Sequence, residues 1–180
     1  MKNEIDVLCD LSHKFDQVGV AYMLTGSIAM NYYTQPRMTR DINIVVALNR
    51  SDIDSVVKLL EKEYYINYQS ITDSLIHESI FNLIHQESVI KVDCIVRKRN
   101  KYRLLEFERR QKIVIQDFTT YIVSKEDLIL SKLLWAKDSH SEFQLRDVRN
   151  LLESGYDTVY LETWTVKLGV NYLLQECLNG

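Results

Sequence analysis

Two kinds of side chain that suit phosphate and cation chemistry occur close together in the first half of the chain. Gly26 and Ser27 follow a short apolar run, Asp41 and Asn43 open a β-branched run, and Asp93 interrupts a third apolar run. Glycine lets an anion approach the backbone, and a hydroxyl and the free N–H groups at a helix start bind phosphate. Carboxylate and amide oxygens are ligands for hard cations. These residues predict a joint phosphate and cation site.

The spacing of the polar residues on the second run predicts where they point. Side chains alternate between the two faces of a strand, so Asp41 and Asn43 share one face and the isoleucines between and after them share the other. A carboxylate such as Asp93 inside an apolar strand is costly unless it is paired or holds a metal. An ion pair of Asp93 with Lys91 or Arg97 is the structural alternative to a metal.

Hydrophobic periodicity predicts a first part of mixed α/β type, because helical and strand patterns alternate along it. The first helix ends at Gly19, and Ser51 is a candidate cap for the third. The predicted elements are helices near 5–18, 28–33 and 53–60, strands over 20–24 and 42–46, and strand pairs over 79–96 and 112–123 with turns at 85–88 and 117–118.

The last third of the chain is predicted to contain only helices. Ser124 with Asp127 matches a capping box that opens a helix of about fourteen residues. A second helix is expected to stop at Gly155, and Asp157 caps a last helical region that runs to Leu178. The expected division is therefore an α/β core over residues 1–123 and a helical region over 124–180 packed on it.

The order of these features resembles the polymerase-beta-like nucleotidyltransferase superfamily. The family signature is Gly-Ser, an acid-hydrophobic-acid triplet at about this distance, and a third acid on a neighbouring strand. Later stretches around Lys132 and around Arg146 and Asp147 look like the C-terminal Lys and Arg-Asp motifs of the abortive-infection type II toxin branch. The likeness covers roughly residues 22–152.

The resemblance implies a mixed twisted sheet flanked by helices, followed by a short C-terminal helical region. It also implies a metal-dependent transfer of a nucleoside monophosphate from a nucleoside triphosphate, with Mg²⁺ or Mn²⁺, to a hydroxyl of tRNA or protein. An antitoxin-like partner protein is a further expectation. The implied nucleotide-binding residues are Thr25, Gly26, Ser27, Arg40, Lys132 and Asp147; the implied metal ligands are Asp41, Asn43 and Asp93; and Asp41, Asp93 and Lys132 are the implied catalytic residues.

Asn43 departs from the family pattern, which has an acid at this position. An amide oxygen still binds a hard cation, but it brings no negative charge and accepts no proton. Metal affinity and rate are both expected to fall. The alternative function is therefore a catalytically impaired module that binds a nucleotide or a partner protein.

Each site residue also has a structural alternative. Gly26 and Ser27 also fit a plain strand-to-helix turn, and Asp41 also fits a cap or an ion pair with Arg37 or Arg40. Lys132 is the only charge between residues 128 and 136, which also fits a lysine that extends to solvent from an apolar helix. Asp147 has Arg146 and Arg149 beside it, as in a surface ion pair.

A basic segment over residues 97–112 contains eight lysines and arginines but only Glu106 and Glu108 as acids. With Tyr102 and Phe107 between the cations, this segment is suited to bind an RNA backbone or the phosphates of an acceptor. A solvated hairpin or loop is the alternative.

Composition excludes several classes of protein. The chain has 180 residues with 22 lysines and arginines against 25 acids, and this charge of -3 draws neither nucleic acid nor anionic membrane by itself. No signal-peptide pattern or membrane-length apolar stretch occurs, so a cytoplasmic protein without membrane attachment is expected.

The three cysteines, which form no C-x-x-C pair, are expected to be buried, and the histidines lack metal-ligand spacing. Motifs of hydrolases, zincins, P-loop and Rossmann proteins are missing.

Overall fold

The computed structural model describes residues 2–36 and 41–179. Within these ranges the chain forms one seven-stranded sheet and nine α-helices. Residue contacts divide the chain into two units. The first unit contains the chain up to Ile28 and the chain from Asp41 to Val123, and the second contains Ala29–Pro36 and the chain from Ser124 onward.

The elements alternate in the first part and are all helical in the last. The strands are β1 (Ala21–Thr25), β2 (Asp41–Ala47), β3 (Tyr64–Tyr65), β4 (Ile80–His85), β5 (Lys91–Val96), β6 (Gln111–Ile115) and β7 (Phe118–Ile122). The helices are α1 (Glu4–Val18), α2 (Gly26–Tyr33), α3 (Ile53–Leu60), α4 (Tyr68–His77), α5 (Lys101–Glu108), α6 (Lys125–Ser139), α7 (Glu142–Leu152), α8 (Thr158–Leu168) and α9 (Asn171–Asn179).

The sheet is mixed, with the strand order β3-β4-β5-β2-β1-β7-β6. β2 lies in the centre, antiparallel to β1 and parallel to β5. The two predicted strand pairs are confirmed as the antiparallel pairs β4–β5 and β6–β7. The centre of the sheet therefore brings together β1, β2 and β5, the three strands that carry the predicted site.

One face of the central strands belongs to the hydrophobic core. Ile42 and Ile44 of β2 and Val92 and Cys94 of β5 are fully buried, whereas the residues between them are only partly buried or exposed. α1 packs against β1, β2 and β7. This alternation, which the sequence predicted for β2, leaves the polar residues of β2 and β5 on the opposite face.

Caps confirm the predicted end of α1 at Gly19 and the predicted start of α6 at Ser124. Asn3 caps α1 in a reciprocal capping box with Asp6, and Gly19 ends it in a left-handed conformation with a φ of 69°. Ser124 Oγ accepts a hydrogen bond from the backbone N–H of Asp127, as its spacing predicted. Local sequence therefore fixes these helix ends.

Two predicted boundaries are wrong. Ser51 does not cap a helix, because a 3₁₀ turn over Arg50–Asp52 precedes α3, and the backbone N–H of Asn49 donates to Asp52 at 2.8 Å instead. Gly155 does not end α7, which stops at Leu152. Gly155 instead offers its carbonyl oxygen to the buried Lys125 ammonium group at 2.9 Å.

Other parts of the fold lay outside the sequence prediction. The pattern predicted neither β3 nor α4, and the basic segment contains the helix α5 rather than only a hairpin or loop. The last helical region is two helices, because Gly169 adopts a left-handed conformation between them. Two of the cysteines, Cys94 and Cys177, are buried as expected, whereas Cys9 is partly exposed.

The second unit is built from α6 to α9, with most of α2. α6 contacts α7, α8 and α9, and Leu130, Leu133, Val148 and Leu161 are fully buried. No helix in the described part of the chain combines the length and the apolar character needed to cross a bilayer.

Candidate functional site

The turn between β1 and α2 places a glycine against the central strand. Gly26 has a φ of 62°, which favours glycine because other side chains are strained there. A Cβ atom at Gly26 would lie only 2.8 Å from Nδ2 of Asn43. Thr25, which is buried, pairs directly with Asn43 in the β1–β2 ladder. The Gly-Ser turn therefore lies on the polar end of β2, and any larger residue at its first position would have to displace the Asn43 side chain.

The register of β2 and β5 brings the predicted acids to one face of the sheet. Asn43 pairs with Asp93, and Asp41 pairs with Lys91. Paired residues on neighbouring strands project to the same side, so these four side chains share the face opposite the core. Asp41 is exposed, whereas Asn43 and Asp93 are partly buried. The acids that the sequence placed in separate runs are therefore neighbours.

Asp93 forms an ion pair with Lys91. The Lys91 ammonium nitrogen lies 2.8 Å from Oδ1 of Asp93, an oxygen atom that is shielded from solvent. The hydrogen bond to Asp93 raises the pKa of Lys91, and the nearby Asp41 carboxylate adds to this effect. The ion pair that the sequence offered as an alternative for Asp93 is thus present. It places a positive charge beside the Asp93 carboxylate.

The donor set fits one divalent cation. Two carboxylates and an amide supply the hard oxygen atoms that Mg²⁺ prefers, but Asn43 removes one negative charge and Lys91 offsets another. Within residues 2–36 and 41–179, no group of three His, Cys, Asp or Glu side chains is placed to hold a metal ion.

Lys132 and Asp147, the predicted residues of the second unit, contact each other. The Lys132 ammonium donates to Oδ2 of Asp147 at 2.7 Å and to Oε1 of Gln144 at 3.1 Å. Lys132 and Asp147 are 6% and 1% exposed, so the sequence alternatives of a solvent-directed lysine and a surface ion pair are both wrong. A buried pair of this kind is costly to break from either side. The predicted role of Lys132 at a triphosphate stays a prediction.

One predicted residue lies outside the described part of the chain, and one polar neighbour was missed. Arg40, predicted to bind the nucleotide, belongs to residues 37–40, which the structure does not describe. Asn82 on β4 pairs with Asp93 and projects to the same face. The sequence signal that could have identified Asn82 is its position between Phe81 and Leu83, two buried residues of a strand.

Comparison with solved structures identifies the fold. The scan against protein-family models and the search of curated proteins find no significant match. An antigenic nucleotidyltransferase-like protein from Paracoccidioides brasiliensis is 17% identical with a TM-score of 0.56, over 82% of this chain and 74% of that one. The antibiotic-resistance factor ANT(2″)-Ia in solution is 11% identical with a TM-score of 0.63, over 96% and 95%. Its crystal structure with adenylyl-2″-tobramycin is 12% identical with a TM-score of 0.59, over 92% and 96%.

These identities are low, so the likeness is one of fold and carries no residue role with it. The mixed sheet with flanking helices, its central strand and its long alignment with these structures agree with one another. The chain therefore has the nucleotidyltransferase fold.

Proposed function

We propose that the chain binds a nucleoside triphosphate at the Gly26–Ser27 turn and transfers its nucleoside monophosphate to a hydroxyl group of an acceptor. The observation that supports this proposal is the row Thr25, Asn43 and Asp93 across three adjacent strands, with the turn packed on Asn43. In this row only Asn43 separates the turn that we propose to bind phosphate from the Asp93 carboxylate. The solved structures of the same fold include one with an adenylylated antibiotic, which favours the same class of reaction.

In the proposed reaction, the backbone at Gly26 and the Ser27 hydroxyl hold the triphosphate. The acceptor oxygen forms a bond to the α-phosphorus, the bond from that phosphorus to the β-phosphate bridging oxygen breaks, and pyrophosphate leaves. Asp93 orients the acceptor hydroxyl and takes up its proton. A Mg²⁺ or Mn²⁺ ion held by Asp41, Asn43 and Asp93 would supply charge neutralisation on the phosphates. Arg40 is a further proposed contact of the nucleotide.

The acceptor in this proposal is tRNA, a protein side chain or a small hydroxyl compound. The first two follow from the resemblance to toxin nucleotidyltransferases, for which an antitoxin-like partner and a cytoplasmic setting are also proposed. The third follows from the antibiotic adduct of a protein with the same fold.

Labelling tests the proposal directly. Protein with Mg²⁺ and each α-labelled nucleoside triphosphate is incubated with total tRNA, with cell lysate and with a small-molecule extract. We expect divalent-cation-dependent transfer of label to one fraction. Asp93→Asn should abolish it, whereas Asp117→Asn, in the exposed β6–β7 turn, should leave it unchanged. Transfer that Asp93→Asn leaves intact would refute the assignment.

A non-catalytic nucleotide-binding module is the second candidate. Two observations favour it: Asn43 replaces an acid, and Lys91 neutralises Asp93. Calorimetry with a non-hydrolysable triphosphate and Mn²⁺ separates the two candidates when it is combined with labelling. Binding without label transfer in any fraction supports the module, and absence of binding rejects both. Asn43→Asp should raise Mn²⁺ affinity, and an unchanged affinity would mean that position 43 does not face the cation.

A further inference from the structure

In the first unit, two arginine side chains contact the same aromatic ring. The guanidinium carbon of Arg97 lies 5.0 Å from the centre of the Phe107 ring, and that of Arg110 lies 4.4 Å from it. Arg110 also lies 5.2 Å from the centre of the Tyr121 ring. Phe107 is 2% exposed, and both arginines are partly buried. We call Arg97 and Arg110, which share the Phe107 ring, the arginine pair.

The arginine pair has no carboxylate partner among the described residues. Two other arginines of this segment differ: Nη1 of Arg103 donates to both carboxylate oxygens of Glu106, and Nε of Arg99 lies 4.0 Å from Oε1 of Glu78. Arg110 donates one Nη1–H to the carbonyl oxygen of Phe107, and the Nε atoms of Arg97 and Arg110 are shielded from solvent without an acceptor. Two positive charges on one ring repel each other. A shared anion would remove that repulsion.

Arg97 lies on the same side of the sheet as the proposed reaction centre. It directly follows β5, and its backbone N–H continues the ladder to the carbonyl oxygen of Val46. Residues 93, 95 and 97 alternate to the same face, and four residues of strand span about 13 Å. Asp93 and the arginine pair are therefore at the two ends of one short surface. A molecule with its hydroxyl at Asp93 would have to span about 13 Å along the strand to reach Arg97.

We infer that the arginine pair binds a phosphate or carboxylate group of the acceptor, so that the acceptor is an anionic small molecule with a hydroxyl group. This inference rests on the proposed function, since it names the substrate class of that site. Guanidinium groups suit such oxyanions because their planar N–H groups bind two oxygen atoms at once. Contact with the Phe107 ring restricts both guanidinium groups before the anion arrives. Two cations on one ring suit a single anionic group better than the repeated charges of a nucleic-acid backbone.

Inorganic phosphate is the probe for the test. The full chain labelled with ¹⁵N is titrated with phosphate, with sodium chloride at equal ionic strength as the reference, and the Nε–Hε signals of Arg97 and Arg110 are followed by NMR. These N–H groups are shielded from solvent, which slows their exchange. We expect both signals to shift saturably with the same dissociation constant for phosphate and not for chloride. Equal effects of chloride would overturn the inference.

Matched variants show whether the arginine pair itself binds the anion. Arg97→Met should weaken phosphate binding at least about tenfold, since a charged hydrogen bond contributes this much. Arg99→Met, whose side chain is 80% exposed in the same segment, should change it less than about twofold. Arg110→Lys keeps the charge, loses the planar fork, and should bind more weakly than the unaltered chain while staying folded. Unchanged binding in Arg97→Met and Arg110→Lys would overturn the inference.

Two further titrations separate this inference from its alternatives. A short single-stranded oligonucleotide that binds and loses affinity equally in Arg97→Met and Arg99→Met would reveal a general polyanion surface and overturn the compact site. A non-hydrolysable ATP analogue, followed through the backbone N–H signals of Gly26 and Ser27, tests the proposed function by itself. Nucleotide binding without phosphate at the arginine pair rejects only this inference, and phosphate binding without nucleotide binding rejects the proposed function and its acceptor.

Discussion

Two separate constraints act against a side chain at position 26, and both concern its Cβ atom. Its positive φ disfavours any side chain, and the space for a Cβ is taken by the Asn43 side chain. Gly19 shares the first constraint with a φ of 69°, but a Cβ there would meet nothing within 4 Å. The two glycines therefore allow backbone strain and steric overlap to be measured separately.

We predict that Gly26→Ala lowers the free energy of unfolding by more than Gly19→Ala does. Gly19→Ala should cost about 1–2 kcal/mol, the usual cost of the left-handed conformation for other residues. Gly26→Ala adds the overlap with Asn43, and adding Asn43→Ala should recover part of the difference. Urea unfolding of Gly19→Ala, Gly26→Ala, Asn43→Ala and the Gly26→Ala/Asn43→Ala double variant is the measurement. Equal costs for the two glycine variants would contradict the contact with Asn43.

Helix α6 begins at a cap that is buried rather than exposed. Ser124 Oγ donates to Oδ2 of Asp127 at 2.6 Å, and the Tyr160 hydroxyl donates to Oδ1 at 2.7 Å. Asp127 is fully buried, so these two hydroxyl groups replace the water that its carboxylate would bind. The helix start thus links α6 to α8 within the second unit.

We predict that Ser124→Ala destabilises the protein by about 1–3 kcal/mol, because it removes a cap and one hydroxyl donor to the buried Asp127 carboxylate. Ser141→Ala is the control, since Ser141 precedes α7 without a side-chain cap bond. Thermal unfolding of both variants gives the comparison. A loss of stability as large in Ser141→Ala as in Ser124→Ala would contradict the assigned role of the Ser124 hydroxyl.

Lysines in and just before α1 form ion pairs with Glu63, in the segment before β3. Lys14 donates to Glu63 at 2.6 Å and Lys2 donates to it at 3.2 Å. These hydrogen bonds, that of Lys14 first, hold the pKa of Glu63 below its usual value of 4.5. A carboxylate with a lowered pKa in the folded state stabilises the fold above its unfolded pKa, and that contribution disappears as the pH falls through the folded pKa.

We therefore predict that Glu63→Gln is less stable than the unaltered chain at pH 7 and equally stable well below pH 4.5, the ordinary pKa of the group. The effect is modest because Glu63 is largely exposed. Urea unfolding across this pH range is the measurement, with the exposed Glu61→Gln as the control. A pH-independent difference between Glu63→Gln and the unaltered chain would show that charge is not its cause.

Binding of a nucleotide to the folded chain must appear as added stability. A ligand that binds only the folded state raises the free energy of unfolding by about 2.7 kcal/mol at 100 times its dissociation constant. We predict such a rise in thermal unfolding with a non-hydrolysable ATP analogue and Mg²⁺, and a smaller one in Ser27→Ala. An unchanged unfolding curve at millimolar analogue would refute nucleotide binding.

The division of the chain into units bears on how that experiment is evaluated. Residue contacts divide the chain between Val123 and Ser124, with Ala29–Pro36 in the second unit. Two unfolding transitions are therefore expected if the units unfold independently. In that case the nucleotide should raise the midpoint temperature of the unfolding transition that includes β1, β2 and β5.

The sequence by itself determined the features that depend on neighbours along the chain. Gly26 before a helix, the alternation around Asp41 and Asn43, and the cap at Ser124 arise from turn geometry, strand period and local hydrogen bonds. They sufficed to predict the sheet type and the resemblance to nucleotidyltransferases. The local pattern misplaced the boundaries at Ser51 and Gly155, because tertiary contacts compete with weak local signals.

Only the tertiary structure decided which distant residues meet. Pairing Asn43 with Asp93 needs the register of two strands 50 residues apart, and the Lys132–Asp147 contact needs two helices to pack. The position of Arg97 and Arg110 on one ring likewise depends on a helix that the sequence pattern did not predict. A side chain's charge partners depend on distances through space, and a linear pattern records only distances along the chain.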